Sequence, residues 1–133
     1  MKVLFLYKGK DAAGGNRVVV TQGKTLEARG VSIEYLPLSG SGPWAYLKAL
    51  SAIRSRLKQD WADLIHAHYG FLGIAGLLAG GRRPLIVSFM GSDLLGSHAP
   101  DGTIRIPGRM MISLHKFLAP YFYSLTIVKS AEM

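Results

Sequence analysis

The sequence contains no cysteine among its 133 residues. Disulfides and thiolate metal sites are therefore excluded, which fits a reducing compartment without requiring one. Acidic residues are scarce too: eight Asp and Glu stand against sixteen Lys and Arg, a formal charge of +8. That balance favours an anionic partner, whether nucleic acid, a phosphorylated small molecule or an acidic lipid surface. Zinc-finger spacing and RNP-type aromatic motifs are missing, so nucleic acid is not the expected partner. No apolar run approaches the length needed to cross a bilayer. The opening "MKVLFLYKGK" has a single Lys ahead of a short apolar run and charge directly after it. It reads as a first strand rather than a secretory signal. Internal repeats and low-complexity tracts are also lacking.

What is present is an alternation of strand-length and helix-length patterns in a chain that is 49% hydrophobic. The length suits one domain with a real core. Val3 to Tyr7 is an apolar strand, and "KGKDAAGGN" closes it. Asn16 can cap a helix from Val18 to Arg29, with Gly30 beyond its end. "VSIEYLPL" (31 to 38) is β-branched and alternating, hence a second strand. Pro43 suits a helix start, and Trp44, Leu47, Leu50, Ile53 and Leu57 recur as an apolar stripe with Lys48, Arg54, Arg56 and Lys58 spread around it. "ADLIHAHYG" is a third strand, followed by the apolar, glycine-rich helix "FLGIAGLLAG". "PLIVSF" is a fourth strand, and "GSDLLGSHAPDGTIRIPG" after it is long for a plain connection. A helix from Arg109 to about Leu118 and a fifth strand, "SLTIVK", complete the pattern.

Strands that are continuous apolar runs, alternating with helices, imply a doubly wound α/β domain. Its parallel, Rossmann-like sheet of about five strands carries helices on both faces. Right-handed crossovers leave few topologies. With the strand order 3-2-1-4-5, the crevice falls between the loops after strands one and four. "GKDAAGGN" and "MGSD" then face each other, and helix N-termini there suit phosphate.

The individual motifs are weak taken singly. Gly9 to Gly14 has P-loop glycine spacing, but Gly15 and Asn16 stand where the Lys and Ser/Thr are required, so a P-loop NTPase is rejected. A dinucleotide fingerprint is not formed either. His66 and His68 in "HAH" lie on one side of their strand. A metal site would need a third ligand such as Asp93 or His98, and no spacing supplies it, so no metal is expected. A core histidine satisfied by backbone suits His66, while His68, nearer the strand end, could line the crevice and act on protons or donate to phosphate. Asp93 is either a turn cap or a ligand for sugar hydroxyls. The basic helix from 43 to 58 is a solvated face in the simpler reading. In the sharper one it is a membrane-surface patch with Trp44 and Tyr46 at headgroup level. "RMMISLHKFLAPYFY" is expected to pack into the core, with lipid contact as the lesser alternative.

Taken in order, "GG" after strand one, "ADLIHAH", "RPLIVSFMGSD" and "SLTIVKSAEM" resemble the N-terminal domain of family-4 glycosyltransferases of the GT-B fold. The likeness covers essentially the whole chain. It implies a retaining enzyme of hexosyltransferase type with two Rossmann-like domains, this chain being the acceptor side. The partners it implies are a nucleotide-sugar donor, a co-substrate rather than a cofactor, and a glycan or lipid-linked acceptor. It maps the donor diphosphate contact onto Gly14 and Gly15. In the scheme that follows, Asn16 and Lys129 join the phosphate site, Tyr69, Gly91 and Ser92 are expected to contact the acceptor, and Asp93 and His68 are the expected catalytic positions. Many relatives end strand four in His-Gly, whereas here Met90 precedes Gly91. Either that imidazole is dispensable or Asp93 and His68 take over nearby work. Ser130 in "KSAEM" is a good helix cap at the very end, so a donor domain is expected to follow and the isolated chain to be inactive. The implied location is cytoplasmic, with peripheral contact at an anionic inner membrane face. The competing class is a non-catalytic α/β binding module, complete as it stands. A response-regulator-like or flavodoxin-like domain lacks support, having only Asp11 and Asp93 near the crevice.

Overall fold

The computed structural model describes residues 1–9, 16–40, 43–58, 61–91 and 106–128. The elements run in the order β1 (Lys2–Lys8), α1 (Arg17–Glu27), β2 (Ser32–Leu38), α2 (Pro43–Leu57), β3 (Leu64–His68), α3 (Gly70–Gly80), β4 (Leu85–Ser88), α4 (Ile106–Phe122) and β5 (Leu125–Ile127). All five strands pair in parallel in one sheet. The doubly wound α/β reading is correct.

Side-chain alternation divides the core between the two faces of the sheet. Val3, Phe5 and Tyr7 of β1 pack with Val19 of α1 on one face. Leu4 and Leu6 point the other way, into a larger cluster with Ile53 and Leu57 of α2, Leu72 and Ala75 of α3, and Ile65 and Val87 of the neighbouring strands. β1 is thus buried on both sides from Val3 to Tyr7. Each such large side chain contributes about 1.5–3 kcal/mol through removal of its surface from water.

The strand order is β2-β1-β3-β4-β5, which corrects the expected 3-2-1-4-5. β3 pairs directly with β1, from Val3 opposite Leu64 to Tyr7 opposite His68. β2 is consequently an edge strand, half-exposed along most of its length. The physical reason was present in "VSIEYLPL". Pro37 sits inside β2 opposite Tyr7, and a residue without an N–H is tolerated at a sheet edge and not between two strands. The point where the crossover direction reverses therefore lies between β1 and β3, not between β1 and β4.

Two helices also differ from expectation. In α2 the buried line runs through Ala49, Ile53 and Leu57, with Tyr46 half-buried, while Trp44 is 76% and Leu47 54% exposed. The periodicity was right and its phase at the first turn was not, because Ala49 can pack closer to the sheet than a large side chain. α4 extends over Ile106–Phe122 and runs through Pro120 near its end, where the lost N–H removes only one ladder bond. His115 is buried, but Met110, Leu114, Phe117 and Tyr121 are exposed, so the expected core packing of this segment holds for only part of it. No described helix is long and apolar enough to cross a membrane.

Candidate functional site

A pocket of about 260 Å3 opens at the C-terminal ends of β1, β2 and β3, beside the reversal point. Lys8 comes from the end of β1, and Leu38, Ser39 and Gly40 from the end of β2. Ala45, Tyr46 and Ala49 come from α2, and Tyr69, Phe71 and Leu72 from the turn into α3. Sheets of this type place ligands in this position, because the connections diverge there and leave the strand ends uncovered. The lining is mostly apolar, with three aromatic rings grouped around Phe71. Its ring centroid lies 5.6 Å from that of Tyr46 and 5.6 Å from that of Tyr69. Burial, with the neighbouring Tyr69 as a second cause, pushes the Tyr46 phenol up to about 12. It stays protonated and able to donate.

Tyr69 is held in a backbone conformation that side chains avoid, at φ 133° and ψ 135°. Such a residue costs on the order of 1–3 kcal/mol and persists only where its surroundings over-determine it. Here its N–H donates to the Ser88 carbonyl at 3.0 Å, and its own carbonyl accepts from Leu72 and Gly73 at 3.0 and 3.1 Å. The next residue explains why α3 begins with glycine. A Cβ on Gly70 would collide with the His115 imidazole, which α4 delivers against this turn. His115 Nδ1 is 3.1 Å from the Tyr123 hydroxyl, and burial pushes that phenol up to about 12.

His66 and His68 share one face of β3 as their spacing demands, with rings stacked at 4.1 Å and both beside Phe5. Each is only 3% exposed. Burial holds His66 down to about 4, and burial together with His66 holds His68 down to about 3. Both rings are neutral near pH 7, which lets them stack without like-charge repulsion. His66 Nε2 meets the Ser88 hydroxyl at 2.8 Å, so its partner is a side chain rather than the backbone. His68 Nε2 is buried without a hydrogen-bond partner among the described residues. His68 is not in the lining of this pocket, and the loops expected to form the crevice around it, residues 10–15 and 92–105, lie outside the described residues. Alternation turns residues 66 and 68 toward the α1 face, whereas Ala67 and the pocket lie on the α2/α3 face.

Asn16 caps α1, its Oδ1 accepting from the Val18 and Val19 amides at 3.1 and 3.5 Å. β4 ends at Ser88, and three residues on, Gly91 turns the chain away at φ 110°, a region that glycine enters without steric cost. Met90 before it is half-buried. Gly14, Gly15, Ser92, Asp93 and Lys129 lie outside the described residues. Of the candidate acceptor contacts, Tyr69 is in the pocket wall. Lys8, Ser39, Tyr46 and Phe71 are pocket residues that motif reading missed. Following the helical line Tyr46, Ala49, Ile53, Leu57 instead of the one through Trp44 would have turned Tyr46 inward. Among the described residues no three His, Asp or Glu are grouped so as to hold a metal ion.

A search against curated proteins returned no match. The family described as glycosyl transferase 4-like domain matches residues 4–133, from the third residue of β1 to the last residue of the sequence. With a parallel α/β sheet and a strand-end pocket in place, a match of that extent is decisive, and the chain belongs to the glycosyl transferase 4-like domain family.

Proposed function

We propose that this chain is the acceptor side of a retaining glycosyltransferase of the GT-B type, which moves a hexose from a nucleotide-sugar donor to an acceptor hydroxyl. The observation that carries the reading is the family match across residues 4–133, joined to a pocket at the ends of β1, β2 and β3. A second Rossmann-like domain would hold most of the donor. Backbone N–H groups at Gly14 and Gly15, next to the start of α1, are suited to the donor diphosphate as the sugar bond breaks. Asn16 would fix that helix end, and Lys129 would offset leaving-group charge. Tyr69, Gly91 and Ser92 would contact the acceptor, and Asp93 would orient the reacting hydroxyl. His68, neutral and buried, would serve by shaping the end of β3 rather than by carrying charge. No metal is needed in this scheme, since helix ends and basic groups supply the positive potential.

Exposed Trp44 and Leu47, with Lys48 on the same helix, would rest on an anionic membrane at the cytoplasmic face. The decisive experiment gives the full-length gene product a panel of nucleotide sugars and follows acceptor-dependent release of nucleoside diphosphate. Release from no donor would overturn the assignment. Calorimetry of the 133-residue chain should show no micromolar donor binding, and binding with turnover would overturn its acceptor-side role. Binding to anionic vesicles should weaken as salt is raised, and salt-insensitive or absent binding removes the membrane element.

A further inference from the structure

The pocket beside the β1/β3 reversal point is small, and its described lining carries one positive charge, at Lys8. Its volume of about 260 Å3 falls just under the roughly 300–1,000 Å3 of sites that enclose drug-sized ligands. That volume encloses about one ring. Tyr46, Tyr69 and Phe71 line that space as a group of rings with centroids 5.6 Å apart in two pairs. Aromatic faces receive the C–H surface of a saturated ring, while phenol tips serve its hydroxyls. Lys8 and Ser39 stand in the same lining, and among the described residues no Asp or Glu joins them. A lysine ammonium is a compact point charge that pairs with phosphate or carboxylate.

Tyr69 adds an independent observation. A bulky side chain at φ 133°, pinned by three backbone hydrogen bonds, is strain at the wall of a cavity, and strain of this kind clusters at ligand clamps. Glycine would relieve it and would remove the ring from the pocket.

We propose that this pocket binds a single sugar-type ring carrying one anionic substituent, phosphate or carboxylate, with the ring against Tyr46, Tyr69 and Phe71 and the charge on Lys8. Only the naming of that ring as the acceptor rests on the sugar-transfer reading.

The test titrates the isotope-labelled 133-residue chain, with no donor present, with a hexose 6-phosphate, a hexuronate and the neutral hexose. NMR shifts should gather at Lys8, Ser39, Tyr46, Tyr69 and Phe71. Both anionic rings should bind about tenfold tighter than the neutral one at low salt, the effect of one charge-assisted hydrogen bond. Lys8→Met should erase that preference and leave neutral-hexose binding unchanged. Tyr69→Gly should weaken all three ligands by about tenfold or more while Tm holds or rises, whereas a purely structural tyrosine would lower Tm on removal. If that variant does not fold, Lys8→Met decides alone. Presenting the phosphorylated ring on a short-chain lipid separates the sources: tighter binding than the free ring assigns a lipid-linked acceptor, and equal binding a soluble one. Equal affinity for charged and neutral rings, or shifts confined to the outer face of α2, would overturn the proposal. Sugar transfer would then still stand or fall on nucleotide release.

Discussion

The interior of the sheet around β1 and its far edge at β5 are built from similarly apolar sequence and behave differently. Around β1, every residue from Val3 to Tyr7 is buried, with α1 closing one face and α2 and α3 the other. At the far edge, β5 is exposed at all three positions. On α4, Met110, Leu114, Phe117 and Tyr121 recur every three or four residues and form an uncovered apolar line. Phe117 and Tyr121 are 61% and 74% exposed, and their rings touch each other at 5.8 Å. Apolar residues recur at helical spacing both in α2 and in α4. Such spacing reports that an apolar face exists, and a second element must be present for that face to become a core.

The comparison can be broken most directly in the closed region. Phe5→Ala removes a ring that meets Tyr35, His66 and His68, and should lower the unfolding free energy by about 3–5 kcal/mol in urea titrations. A loss below ~1 kcal/mol would mean that this half is as loosely closed as the other. At the seam between the regions, Gly70→Ala drives a methyl into His115. It should cost about 1–3 kcal/mol by overpacking, and Gly70→Ala combined with His115→Ala should recover part of it.

Acidity sharpens the contrast next. The His66 and His68 pKa values are lowered by folding, to about 4 and about 3, so the unfolded chain binds more protons between those values and about 6.5. Their contribution is complete above pH ~6.5 and falls with acidification, with a slope approaching roughly 1.4 kcal/mol per pH unit for each ring. Tm measured from pH 7 to pH 4 should fall accordingly, and His68→Leu should flatten the curve. A curve as steep in that variant as in the native chain would exclude the histidine stack as the cause. The smallest effect belongs to the open edge. Phe117→Ser should change stability by no more than about 0.5 kcal/mol, and a larger loss would show that the α4 line is covered in solution.

Sequence and structure diverge at identifiable residues. The nine regular elements, the parallel sheet, the Asn16 cap and the shared face of His66 and His68 all follow from local rules, and all are observed. The pocket was less legible. Tyr46 was read outward because Trp44 and Leu47 are larger and more apolar than Ala49, yet packing against a sheet rewards the residue that fits and not the one that is greasiest. Parity along β3 puts the His68 ring beside Phe5, on the sheet face opposite this pocket. Lys8 looked like the end of a strand and became the charge at the pocket rim.

Hydrophobic period and turn residues determined by themselves where each strand and helix forms, because both depend on contacts within a few positions of the chain. Even one long-range fact was written locally: Pro37, lacking an N–H, assigned β2 to an edge. Only the tertiary structure decided that β3 lies against β1, that the cavity opens at that junction and that α4 leaves a face uncovered. Those outcomes depend on which surfaces meet across the fold, and two right-handed arrangements satisfy the same local pattern until side chains from distant segments compete for one volume.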